Sequence, residues 1–265
     1  MDISDDTTNI AGGSYGAAPL PPTPPTPPTP PPEKKVLKTE DTGKIFEKAI
    51  CDAYGIPFDG PFKYCQLTVD NLVPRLKTLV SDALFPHCTH TASKGARYDF
   101  TSLDGTMHLS AKSNKKKEGQ LAPQVVGQPN PKKFCQVLGI PYTTNADLKQ
   151  YIQENILTIL PVLWSYTFDS QIIYYVKETD TIRLITPSSP SSPSSPSTWW
   201  VDYQYEWTCS YEKWNNSSSL GIVIDGKKER ILEIQFHTKR KNMAIRWSIE
   251  AVLRIFSKQF TVLSL

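Results

Sequence analysis

Arg97 to Lys112, RYDFTSLDGTMHLSAK, carries the reading from which the rest of the chain can be organised. Asp104-Gly105 is a two-residue turn signal between alternating apolar and polar residues, which predicts a β-hairpin. With those two residues as the loop, Leu103 faces Thr106 and cross-strand partners sum to 209. Asp99 then pairs with Ser110, and Arg97 with Lys112. Successive strand residues point to opposite faces, so Tyr98, Phe100, Met107, Leu109 and Ala111 form an apolar face. Arg97, Asp99, Thr101, His108, Ser110 and Lys112 share the other. Opposed β-carbons lie about 5 Å apart, so a carboxylate, a hydroxyl and an amine are expected together on the polar face. A carboxylate there can hold a hard cation, and the lysine can stabilise charge developing on a phosphate. The bland alternative is an amphipathic hairpin whose polar face meets water.

The stretch beyond the hairpin is basic. Six lysines against Glu118 lie between Lys112 and Lys133, including Lys115 and Lys116 in SNKKK, as a polyanionic partner favours. The run leads into LAPQVVGQP, where Gln124 and Gln128 can donate and accept at base edges. Near the C-terminus, ILEIQFH (231–237) alternates strictly, with Glu233, Gln235 and His237 on one face. Lys239, Arg240 and Lys241 come next at a turn, and the return strand brings Arg246. That second hairpin can present amides, an imidazole and guanidinium groups to DNA, or it can be a sheet edge with a charged loop.

Around these segments the chain punctuates itself. Of 265 residues 23 are proline, concentrated in the PPT repeat that ends at Pro32 and in the Ser-Ser-Pro repeat from Pro187 to Pro196. Residues 1–40 are expected to form a disordered Pro/Thr-rich tail, a spacer or a ligand for a proline-binding module. Residues 41–265 are expected to form one domain, with the Ser/Pro-rich stretch at 186–198 as a loop insertion. The net charge is +3, and removing the tail leaves the body more basic. With 39% hydrophobic and 11% aromatic residues the body can bury a core, so a wholly disordered chain is excluded. No stretch is long and apolar enough to cross a bilayer and no secretory start follows Met1, so a soluble, non-secreted, cytoplasmic protein without membrane contact is expected. Five scattered cysteines without a CxxC pair argue for reduced thiols, and His87, Cys88 and His90 have no second cluster with matching zinc spacing.

Helices are predicted over Thr42–Tyr54, with Ile45, Phe46, Ala49, Ile50 and Ala53 on one face; over Asn71–Leu84, with Pro74 in its first turn; and over Asn145–Leu160, capped by Asn145 and stopped by Pro161. Strands are predicted at 172–176, 181–185, 222–224, 231–237 and 244–249. This alternation indicates a mixed α/β or α+β domain.

Three ordered blocks, YDFxxxDGxxxLSAKSNKK, APQVVGQP and LEIQFHxxR, resemble type II restriction endonucleases of the PD-(D/E)xK superfamily over about residues 42–250. The resemblance implies a mixed central sheet flanked by helices, and Mg²⁺-dependent hydrolysis of double-stranded DNA at a short recognition site by a homodimer. It makes Asp99 the first acidic metal ligand and Lys112 the motif lysine, and the helix glutamate that some members contribute falls on Glu47. Ser110 departs from the pattern, which expects Asp or Glu there, so the second metal ligand falls to Glu47, Glu233 or water. The tandem proline repeats resemble proteins of large DNA viruses, which would place the chain inside a host cell. A catalytically inactive DNA-binding protein, a repair nickase on the same core and a Pro-rich interaction protein are the competing readings.

Overall fold

The computed structural model describes residues 39–92, 96–188 and 199–265. The tail expected over 1–40 and the insertion expected at 186–198 therefore lie almost wholly outside the described residues. Helix α1 (Thr39–Tyr54) buries Ile45, Phe46, Ala49 and Ile50 on the predicted stripe, with Ala53 partly buried beside them. It ends at Gly55, whose φ of 66° closes the last turn.

Helices α2 (Gln66–Leu76) and α3 (Thr78–Ser81) come next, replacing the one helix expected at 71–84. Pro74 sits inside α2 and not in a first turn, because the helix begins five residues earlier than its apolar periodicity suggested. Four strands and three helices continue the chain: β1 (Cys88–His90), β2 (Phe100–Ser102), β3 (His108–Asn114) and β4 (Gln120–Leu121), then α4 (Pro131–Leu138), α5 (Asn145–Glu154) and α6 (Ile156–Ser165). The helix expected over 145–160 is thus two helices broken at Asn155, with Pro161 inside the second. Its cap is Thr144, whose hydroxyl accepts from Asp147 N–H at 3.1 Å. The chain finishes with β5 (Gln171–Val176), β6 (Thr181–Pro187), β7 (Gln204–Trp207), β8 (Ser217–Ile224), β9 (Lys227–Phe236), β10 (Met243–Ser248), α7 (Ile249–Ile255) and β11 (Phe260–Ser264).

These elements make a mixed α+β fold with two sheets. One has the order β1-β2-β3-β5-β6-β11 and the other β4-β10-β9-β8-β7. In the first, β3 and β5 run parallel and every other neighbour is antiparallel. A hydrophobic core between α1–α3 and one face of this sheet takes Phe46, Leu79, Phe100, Leu109, Ile173 and Leu184. A larger core takes Ile172, Tyr174 and Ile185 from the opposite face, together with the second sheet and α4–α7. Each fully buried Leu, Ile or Phe in these layers contributes about 1.5–3 kcal/mol. Alternation along β3 therefore sends Leu109 and Ala111 toward α1, and Ser110, Lys112 and Asn114 toward the second sheet.

Candidate active site

The hairpin register is the one the turn signal predicts: Phe100 pairs with Leu109 and Thr101 with His108, both sums being 209. Gly105 takes φ 74°, and Asp104 accepts from the Thr106 N–H at 3.0 Å. The strands are shorter than expected, however, and residues 97–99 lie outside the ladder. Arg97 does not pair with Lys112. Its guanidinium instead donates to the Ser165 carbonyl at 2.7 Å and forms an ion pair with Asp169 at 2.7 Å. Tyr98 leaves the apolar face, stacks on His108 with ring centroids 4.0 Å apart and donates its hydroxyl to Asp169. Met107 is exposed. Burial, and then the hydrogen bond to Asp169, push the Tyr98 phenol up to about 12.

Leaving the ladder brings Asp99 to where the hairpin reading needs it. Its Oδ2 accepts from the Ala111 N–H at 2.8 Å and from Lys112 Nζ at 3.2 Å. The acid and the amine therefore stand on the same side of the sheet, with side chains 19% and 28% exposed. The second oxygen, Oδ1, has no hydrogen bond among the described residues. Two anchors fix this arrangement from outside: Thr91 N–H donates to the Asp99 carbonyl at 2.8 Å, and Asp169 holds both preceding side chains. Asp169 carries no motif, and the fold alone places it here.

Ser110 is fully buried, and its hydroxyl accepts from Gln124 Nε2. Gln124 Oε1 is buried without a partner among the described residues. Gln124, expected at a base edge, is thus packed beneath the site, whereas Gln128 is exposed. The segment between them is tightly fitted. Gly119 lies so close to Asn114 and Tyr174 that a β-carbon would meet the Tyr174 hydroxyl at 1.9 Å. Further along, Gly127 and Pro129 accept from Ile245 and Met243 of β10.

Glu47 has other partners. Its Oε2 accepts from Lys44 at 2.7 Å and lies 3.5 Å from His90 Nε2, and no hydrogen bond or ion pair joins it to Asp99 or Lys112. Burial pushes its carboxyl upward, but the His90 and Lys44 hydrogen bonds outweigh this and hold it below its ordinary value. Glu233 is likewise engaged, by Gln120 at 2.9 Å and Arg246 at 3.6 Å. Arg246 also donates to Gln235 at 3.1 Å, so both residues are tied into β9–β10. His237, Arg240 and Lys241 sit at the far turn, with Arg240 exposed, and Lys116 is exposed beyond β3. Among the described residues no group of three or more His, Cys, Asp or Glu is placed to hold a metal ion, and His90 stacks on Phe58 with ring centroids 5.0 Å apart. Among the described residues no helix is long and apolar enough to cross a membrane.

This chain is similar to a viral restriction enzyme. Over 230 residues it is 39% identical to the type II restriction enzyme CviAII of Paramecium bursaria Chlorella virus 1, a match that takes in 86% of this chain and 63% of that enzyme. It thus spans less than two thirds of the relative's length. No family model and no solved structure matches the chain.

Proposed function

We propose that the chain is a type II restriction endonuclease of the PD-(D/E)xK kind, hydrolysing double-stranded DNA at a short specific sequence. The observation that carries this is the Asp99–Lys112 pair, 3.2 Å apart on one face of the hairpin and partly exposed. The similarity to a restriction enzyme over most of the chain supports it. In hydrolysis, water adds its oxygen to phosphorus, one P–O ester bond breaks, and the departing oxygen takes a proton. Lys112 contributes a fixed positive charge beside the phosphate oxygens on which negative charge grows. The Ala111 N–H holds Asp99 in place through Oδ2, leaving Oδ1 free for a ligand.

A partly exposed carboxylate oxygen of this kind suits Mg²⁺, which uses one or two carboxylates and fills its remaining positions with water and phosphate. Asp99 would hold it, and when bound it would supply Lewis-acid polarisation of the phosphate and a more acidic water. Glu47 serves as a second ligand only by exchanging its bonds to Lys44 and His90. Ser110 and Gln124 support β3 from beneath. Lys115 and Lys116 meet phosphates, Gln128, Gln235, His237 and Arg240 meet the grooves, and Arg246 orients Gln235. A homodimer matches the two-fold symmetry of a palindromic site. The proline repeats and the viral relative suit a protein acting inside an infected cell.

The experiment is digestion of plasmid and phage DNA by the full chain with Mg²⁺. Discrete fragments that disappear with Asp99→Ala and Lys112→Ala support the reading. Single-strand nicks alone favour a repair nickase. The buried Ser110 hydroxyl, where the superfamily pattern has a carboxylate, favours a catalytically inactive DNA-binding protein as the second reading. Salt-dependent binding without any cleavage would establish that alternative.

A further inference from the structure

A hollow of about 370 Å³ opens where the turn after β9 meets the start of α4. Phe236 and Tyr142 supply aromatic lining, His237 and Asn242 polar groups, and Lys132 and Lys241 two cations. Phe236 is backed by Trp214, with ring centroids 5.5 Å apart. Asn242 Oδ1 is a buried acceptor with no partner among the described residues. Neither lysine has a carboxylate within ion-pair distance among the described residues, and both are exposed. Aromatic surface, amide and imidazole groups, and paired cations are the chemistry of a phosphorylated heterocycle.

We propose that this hollow receives one nucleotide of the bound DNA, drawn out of the base stack; the inference rests on the nuclease reading above. The volume is at the low end of ligand cavities, suited to one nucleotide and too small for two. Its shape carries the argument. Base edges of an intact duplex are read by side chains that project into a groove, whereas a concave site can meet a base only after it leaves the stack. The position is also right. Gln124 touches Ser110 and Asn130 lines the hollow, six residues further along one segment. At the chain's greatest extension those six residues span roughly 20 Å. That is at most about six base steps along a strand, within reach of a short recognition site. Lys132 and Lys241 take the phosphate of the displaced nucleotide, while the half-buried Tyr142 offers aromatic surface to its base and the buried Phe236, with Lys149 over its ring at 5.3 Å, closes the floor.

The test uses the full chain carrying Lys112→Ala, and duplexes containing the recognition sequence obtained from fragment ends of a wild-type digest. 2-Aminopurine replaces each base in turn, and binding is followed independently by anisotropy. A several-fold fluorescence change on binding at one position, reduced by Lys132→Ala with Lys241→Ala while the melting temperature holds, supports the proposal. Fluorescence unchanged at every position while anisotropy reports binding overturns it and leaves the nuclease reading standing. If the digest gives no discrete fragments, the nuclease reading fails. The hollow is then judged by 2-aminopurine deoxyribonucleoside 5′-monophosphate alone: binding at millimolar concentration, weakened by the two lysine substitutions, retains a nucleotide site, and no binding removes it.

Discussion

Replacing Lys112 by alanine separates what this residue does for chemistry from what it does for the fold. The ion pair with Asp99 is partly exposed, the two side chains being 28% and 19% accessible. Its contribution to stability is therefore that of a solvent-screened pair, at most about 1 kcal/mol. For a body of this size that lowers the melting temperature by about 2–4 °C. Asp99 is not stranded by the change, because the Ala111 N–H still donates to it at 2.8 Å. On the proposed nuclease reading, removing one preorganised charge from beside the phosphate should cost about 100- to 1,000-fold in rate. Asp99→Ala should be worse for the fold, since it deprives the Ala111 N–H of its acceptor, a loss of about 1–3 kcal/mol. The assay is the initial rate of supercoiled plasmid loss at fixed salt, beside thermal melting of each variant. Cleavage by Lys112→Ala within tenfold of wild type, or a loss of activity that merely tracks unfolding, would refute the reasoning.

Gly119→Ala should destabilise by about 1–3 kcal/mol, because the new methyl collides with the Tyr174 hydroxyl and the Asn114 amide; denaturant unfolding measures it. Glu47 has its carboxyl held below 4.5, so its ionised form stabilises the fold above its unfolded value, and that contribution is lost as pH falls through the lower folded value. Wild-type melting temperature should therefore drop more steeply below about pH 4.5 than that of Glu47→Gln, and parallel curves would contradict this. Among the described cysteines, Cys65 is exposed and hydrogen bonds from Thr68 lower its thiol, whereas burial raises Cys51 to about 12 and Cys88 to about 11. Cys65 should react first with a thiol reagent in the native protein, as peptide mapping of a brief alkylation would show.

Much of the geometry of the candidate site was legible because it depends on local periodicity. The turn at Asp104-Gly105 and the alternation around it place Phe100 opposite Leu109 and put Lys112 on the side away from Ala111. The features that escaped a reading of the sequence depend on partners far along the chain. Asp169 draws Arg97 and Tyr98 out of the strand, and nothing near residue 97 signals a carboxylate 72 positions later. Gln124 reads as a surface amide because its neighbours are loop residues, yet its segment is pressed against β10 and Ser110. Pairing of β3 with β5, and the division into two sheets, are likewise non-local. The short α4 carried its own signals, Asn130 as cap, Pro131 at the first position and Gly139 at φ 70°, which the lysine run around it obscured.

The segment from Gly119 to Asn130 acts as a rivet line. One end is wedged against Asn114 and Tyr174 of the first sheet, its middle grips Ser110, and its far end is stitched to β10 of the second. Neither sheet can slide without dragging the other. A bulkier residue at Gly119 or Gly127 would consequently be felt at both ends of the line, at Ser110 on β3 as well as along β10.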